Sequence, residues 1–274
     1  MDEDAYVDVP RTRLSGTKSE SSTDTLVQEQ PLEIRVGGVP LAVVMRTPGN
    51  DLELARGFLL TERVVTRPAD IASIRHCTTV TEPEAEDNVI LVTLGDDVAF
   101  DIAQHRRNFF ASSSCGICGK ATIDAALGHA EPLATDSTRL SAEVLYQLPD
   151  RLRAAQTVFD RTGGLHAAGL FDQHGAALVV REDIGRHNAV DKTIGWAATQ
   201  GRFPAVGTVL VVSGRVSYEI IQKALSARIP IVAAVSAPSS LGIELARRAG
   251  MTVVAFLRGT TASVYAGEAR IGPS

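Results

Sequence analysis

Thr208-Val209-Leu210-Val211-Val212-Ser213-Gly214-Arg215 and, a helix-length later, Ile231-Val232-Ala233-Ala234-Val235-Ser236-Ala237-Pro238-Ser239 decide the fold of this chain. Each opens as an almost wholly apolar run of strand length and closes in small, hydroxylated or cationic residues. A strand with no polar alternation is buried on both faces, as in a parallel sheet covered by helices on each side. Working outward, helical patterns occupy 188–198, 217–227 and 240–249, and a further strand is predicted at 252–257. Upstream, strands at 165–171 and 176–181 flank Asp172-Gln173-His174-Gly175 as a hairpin. Residues 141–159 read as helix, which Pro149 should kink or split. Residues 139–274 are therefore expected to form an α/β domain in which an antiparallel hairpin leads into parallel strands.

In such a sheet, ligands bind beyond the carboxyl ends of the strands. Those ends carry Ser213-Gly214-Arg215, Ser236 to Ser239, and Arg258-Gly259-Thr260-Thr261. Free N–H groups at helix starts favour an anion, and Arg215 and Arg258 suit bidentate contact with phosphate. Ser before a helix is by itself usually only an N-cap. Three such loops on one edge point to a phosphate or nucleotide pocket. A second polar cluster, Arg181-Glu182-Asp183-Ile184-Gly185-Arg186-His187-Asn188, offers Asp183, Arg186 and His187 as ligand contacts, with an internal ion-pair network as the competing reading. His76, His105, His129 and His174 stand alone; His166 and His187 have polar company.

The first half reads differently. Residues 1–24 are rich in Ser, Thr, Asp and Arg without periodicity, and are expected to be a disordered tail. Residues 25–111 form a smaller α+β unit: a hairpin of 32–36 and 40–46 around Gly37-Gly38, a helix after Asn50 with capping-box spacing to Glu53, and strands at 71–80 and 89–94. Cys77 is expected in its core. Between the units, 112–138 carries Ser112-Ser113-Ser114-Cys115-Gly116-Ile117-Cys118-Gly119-Lys120, a short helix and a connector. Its glycines make a mobile loop, and a helix start after Cys118 with Lys120 nearby favours thiolate over thiol. A structural pair, or zinc completed by two further ligands, remains open at this point. No metal site is assigned.

With 274 residues and 45% apolar content the chain buries a proper core. A formal charge of −5 and 5% aromatics argue against nucleic-acid binding. No apolar run reaches the roughly 20 residues of a membrane span. Three cysteines and an acidic, non-apolar start fit a cytoplasmic protein. Gly-x-Ser-x-Gly, Walker, His-Glu-x-x-His and Gly-x-Gly-x-x-Gly signatures are missing.

Taken in order, Ser113 to Gly119, Thr162-Gly163-Gly164-Leu165-His166, Arg181 to Lys192 and Ser213-Gly214-Arg215-Val216-Ser217-Tyr218-Glu219 resemble the FdhD family of sulfur carriers. The resemblance implies a C-terminal domain similar to cytidine deaminase, with three layers and a mixed sheet. It implies that sulfur is taken from a cysteine desulfurase and passed to the molybdenum cofactor with two molybdopterin guanine dinucleotides, maturing formate dehydrogenase. GDP would be a mimic of that bound substrate. Cys115 would carry the persulfide and Cys118 would assist. The family's cofactor-binding stretch falls on Phe256-Leu257-Arg258-Gly259-Thr260-Thr261, joined here by Ser213, Gly214, Arg215, Ser236, Ser239, Asp183, Arg186 and His187. A homodimer is also expected. The rival reading is a non-catalytic cofactor-binding chaperone whose cysteine pair is structural or binds zinc. A zinc deaminase is disfavoured because Ser114 stands where its signature needs proline.

Overall fold

The hairpin-then-parallel order is present in a computed structural model of the protein, which describes residues 3–78, 87–98, 100, 133 and 136–272. Strands β8 (His166–Asp172) and β9 (Ala177–Asp183) form the hairpin. It is followed by β10 (Thr208–Val212), β11 (Ile231–Ala234), β12 (Thr252–Arg258) and β13 (Thr261–Ala266). The sheet runs β13-β12-β11-β10-β8-β9, with β10, β11 and β12 parallel and the outer pairs antiparallel.

Residues along β10 alternate between two cores. Leu210 and Val212 face the layer of α4 (Arg186–Thr199), α5 (Tyr218–Ser226) and α6 (Ser240–Arg248). Val209 and Val211 face Leu145, Leu148 and Leu152 of α2 (Ala142–Ala154). The domain is three-layered, which is why these strands lack polar alternation. Pro149 does not break α2: the apolar face at Leu145, Leu148 and Leu152 carries the helix through it. The chain turns instead at Ala155–Gln156 and re-enters α3 (Thr157–Thr162). Short β7 (Leu140–Ser141) pairs with the terminal β14 (Ile271–Gly272).

The smaller unit has the expected ββαββ order. Hairpin β3 (Gln30–Val36) and β4 (Val39–Arg46) turns at Gly37 and Gly38, both with positive φ, as a two-residue turn matched to strand twist requires. Helix α1 (Asp51–Thr61), β5 (Ile71–His76) and β6 (Val89–Leu94) follow, giving the sheet order β4-β3-β6-β5. Cys77 is buried. Asn50 does not cap α1 with its side chain: it sits in the left-handed region, and Glu53 leaves the helix start to pair with Arg181.

The expectation of a disordered stretch over 1–24 is corrected. β1 (Tyr6–Ser15) and β2 (Lys18–Val27) pair in register as an antiparallel ribbon. Polar composition misled because a two-stranded ribbon needs little core. Its base alone is anchored, by Ala5 and Val27 against Val158 and Leu165.

The two units are joined closely. α1 crosses α4 at Gly57 and Gly195; a methyl on Gly57 would lie 2.6 Å from the carbonyl carbon of Asp191, and one on Gly195 2.6 Å from that of Glu53. Arg181 takes the Glu53 carboxylate with two bonds, 2.6 and 2.9 Å. Lys192 reaches the Thr47 carbonyl at 2.8 Å, and Asn188 donates to the Met45 carbonyl at 2.7 Å. Lys223 bridges Asp191 at 2.8 Å and Glu62 at 2.9 Å.

Candidate functional site

Because β8 is antiparallel to β10, its first residue lies at the edge where the parallel strands end. His166 opens β8, Asp183 closes β9, Ser213 follows β10, Ser236 follows β11 and Arg258 closes β12. One sheet edge therefore gathers residues scattered over more than ninety positions of sequence.

At the β8/β10 end, Ser213 continues the ladder: its N–H donates to the Ala167 carbonyl (3.0 Å) and its hydroxyl accepts from the Ala167 N–H (2.9 Å). Gly214 is buried beneath two side chains, and a Cβ there would meet His166 Nδ1 and Arg186 Cβ, each at 3.4 Å. The lack of a side chain lets those two groups approach the backbone. His187 Nε2 lies 2.8 Å from Glu219 and 3.4 Å from the Ser217 hydroxyl. Burial, followed by the charges of Arg186, His187 and Arg215, pushes the His166 pKa below the ordinary histidine value, with Asp183 opposing. His166 is accordingly neutral at pH 7.

The next two loops are zipped together. Val216 N–H donates to the Ala237 carbonyl (3.1 Å) and Ser239 N–H to the Val216 carbonyl (2.8 Å). At the β12 end, Phe256 N–H reaches the Ser236 carbonyl (3.2 Å). Phe256 has φ +51° and is 41% exposed, its ring 6.5 Å from that of Tyr265. A bulky residue in that backbone region is strained, and such strain clusters at ligand sites. Arg258, Gly259, Thr260 and Thr261 form the exposed β12–β13 turn, closed by the Thr261 hydroxyl on the Arg258 carbonyl (3.0 Å) and by positive φ at Gly259.

The model of the FdhD/NarQ family matches residues 27–272. A sulfur carrier protein FdhD of Mycolicibacterium paratuberculosis is 51% identical over 264 residues, covering 95% of this chain and 97% of its own. The chain belongs to the FdhD/NarQ family. The FdhD of Sulfolobus acidocaldarius is 44% identical, over 92% of each chain. A crystal structure of a formate dehydrogenase accessory protein from Desulfotalea psychrophila shares the fold, with a TM-score of 0.77 at 22% identity over 98% of this chain and all of the other.

Within this FdhD/NarQ chain the structure separates the residues singled out from the sequence. Arg186, His187, Gly214, Arg215, Ser236, Phe256, Arg258, Gly259, Thr260 and Thr261 gather on the edge. Three of the assigned residues have side chains committed within the fold. Asp183 is fully buried, and its carboxylate is taken by Lys192 (2.7 Å) and by N–H groups of Gly185 (2.8 Å), Asn188 (2.9 Å) and Thr47 (3.2 Å). It positions the Gly185–Asn188 turn and has no room for a ligand. Leu257 is fully buried in the core against α2. The Ser239 hydroxyl accepts from Gly242 N–H (3.1 Å) as the N-cap of α6, the bland role of such a serine. Glu219, the partner of His187, carries no local signal in the sequence, and His166 reaches this edge only through the sheet order. Cys115 and Cys118 lie outside the described residues. Among the described residues, no group of three His, Cys, Asp or Glu side chains is arranged for a metal, and no helix is long and apolar enough to cross a membrane.

Proposed function

We propose that this protein is a sulfur carrier that loads sulfane sulfur on Cys115 and delivers it to a molybdenum cofactor bearing guanine dinucleotides, in the maturation of a formate dehydrogenase. One observation carries the reading: relatives about half identical over at least nine-tenths of the chain are named sulfur carrier proteins. The name of the Desulfotalea relative supports formate dehydrogenase as the recipient. The three-layer domain with its mixed sheet suits the cytidine-deaminase-like fold that the family resemblance implies.

The Cys115 thiolate attacks the outer sulfur of a persulfide on a cysteine desulfurase. The donor S–S bond breaks, the donor cysteine leaves as thiolate, and Cys115 becomes the persulfide. On delivery, Cys118 thiolate attacks the Cys115 sulfur; a disulfide forms and the outer sulfur departs as sulfide, carrying the electron pair. A cellular dithiol then reduces the disulfide.

Mass spectrometry after incubation with a desulfurase and L-cysteine is expected to find one added sulfur on the peptide holding Cys115, lost in Cys115→Ala. Zinc bound one per chain, with no sulfur gained, would instead establish the chaperone reading. Cys118→Ala should still load but release sulfur slowly, and unimpaired release would remove the relay.

The Phe256 ring is exposed at the edge where the guanine would sit. Phe256→Gly relieves a strained backbone worth about 1–3 kcal/mol, so thermal stability should hold or rise. GDP affinity should fall through loss of the ring. A variant that melts lower and binds GDP unchanged would make Phe256 a packing residue.

A further inference from the structure

The ribbon of β1 and β2 is rooted beside the candidate site and runs out from it. Its base packs on Leu165, the residue before β8, and on Ile184, the residue after β9, and a Cβ on Gly164 would lie 3.1 Å from Val27. Each strand is ten residues long, about 33 Å. Past the base its side chains are exposed or half-buried. A two-stranded ribbon is marginal in water by itself, and a third strand is the smallest addition that makes it secure.

The backbone shows which edge is open. Ser15 and Lys18 close a two-residue turn at Gly16 and Thr17, so this pair exchanges both of its hydrogen bonds, and bonded and non-bonded pairs alternate from there along the ladder. The alternation makes Pro10 and Thr23 a non-bonded pair, the one arrangement that loses no ladder bond at a residue lacking an N–H. It also makes Ala5 and Gln28 a bonded pair, in keeping with the Gln28 N–H on the Ala5 carbonyl at 2.8 Å. Ser19, Ser21 and Thr23 therefore turn their N–H and C=O groups away from β1. Among the described residues, no backbone group of another segment meets them. On the outer edge of β1 Pro10 interrupts the row of donors, whereas β2 has no proline.

The side chains flanking that edge define what fits it. One face of β2 carries the hydroxyls of Ser19, Ser21, Thr23 and Thr25; the other carries Lys18, Glu20, Ser22, Asp24 and Leu26. Asp24 is held by Arg11, and Leu26 is 45% exposed. Lys18 and Glu20 are exposed and, among the described residues, hold no ion pair. Opposite charges facing each other across a ladder stabilise it, and like charges do the reverse.

We propose that the outer edge of β2 is a docking site for an extended, proline-free segment of a partner polypeptide. The segment adds antiparallel to β2, with an apolar residue opposite Leu26, a basic residue opposite Glu20 and an acidic one opposite Lys18. Because the ribbon is rooted at the start of β8, a segment bound there brings its protein to the sheet edge that bears the candidate site. This surface goes beyond the sulfur-carrier reading and does not need it.

The test is amide hydrogen exchange of the full chain read by NMR, with the acetylated and amidated nonapeptide Val-Thr-Ser-Thr-Ser-Thr-Arg-Thr-Glu as probe. In the free protein the Glu20 and Ser22 amides are expected to be protected and those of Ser19, Ser21 and Thr23 to exchange freely. The probe should slow those three about tenfold or more. Ser21→Pro removes an outward donor without removing a bond to β1, and should weaken the probe about tenfold, with protection at Glu20 and Ser22 showing that the ribbon is intact. Glu20→Arg should weaken it about two- to fivefold, and a probe with Glu in place of its Arg should recover the loss. No slowing at Ser19, Ser21 and Thr23, unchanged affinity in Ser21→Pro with an intact ribbon, or no recovery by the charge-changed probe overturns the proposal. Outward amides already protected in the free protein, together with a doubled mass by light scattering, would put a second copy of the chain on this edge and overturn it too.

Discussion

Gly57→Ala is expected to lose about 3 kcal/mol or more of stability, with a fall in Tm of roughly 6–12 °C for a chain of this size. The added methyl meets the carbonyl carbon of Asp191 at 2.6 Å, and its obstacle is backbone rather than a side chain that can swing away. α1 and α4 would have to part by roughly 1 Å in an interior that has no slack. Gly195→Ala, which meets Glu53 in the same crossing, should behave alike, and the double variant should cost less than the sum because one separation accommodates both. Gly272→Ala is the control: nothing lies within 4 Å, so its effect should stay within about 0.5 kcal/mol. Calorimetric melting checks all four. A Gly57→Ala protein that melts with the parent would mean that the two helices do not touch there.

Lys223→Met should cost about 3–5 kcal/mol, since it leaves the Asp191 carboxylate buried without its cation. Adding Asp191→Asn should recover part of the loss, because the pair as a whole contributes far less than either half broken. Burial works against the Lys223 ammonium, but Asp191 and then Glu62 overcome it and hold the pKa well above the ordinary lysine value. A raised lysine pKa contributes stability that is fully present below the unfolded value of 10.5 and is lost only as pH climbs through the folded one. The deficit of Lys223→Met relative to the parent should therefore be constant across neutral pH and shrink only in strong alkali. Urea unfolding at several pH values reads this directly. A deficit that vanished near neutrality would show that the lysine is not charged in the fold.

The same residues explain how much of the site was legible. Arg181, Glu182, Asp183, Asn188, Asp191 and Lys192 sit close together in sequence, dense in charge, and look like a ligand cluster. In the fold, Arg181 binds Glu53, Glu182 accepts from the N–H groups that start α3, Asp183 binds Lys192, and Asp191 binds Lys223. Their partners lie mostly far away in sequence, so no local pattern could separate a network joining two units from a binding site. Arg186 and His187, in the middle of the same run, are the two that turn toward the sheet edge.

Strand and helix positions in the second half followed from apolar runs and helical spacing, because burial on both faces leaves a local signature in composition. The Gly37-Gly38 hairpin followed from turn chemistry, and family membership from ordered motifs spread along the chain. Other features depend on chain segments meeting in space: the ribbon of β1 and β2, the glycine crossing of α1 on α4, the strained backbone of Phe256, the burial of Leu257, and the meeting of His166 with Arg186 and Arg215. Spacing along one segment reports the face a residue presents, whereas a partner from another segment is chosen only when the sheet order brings the two together.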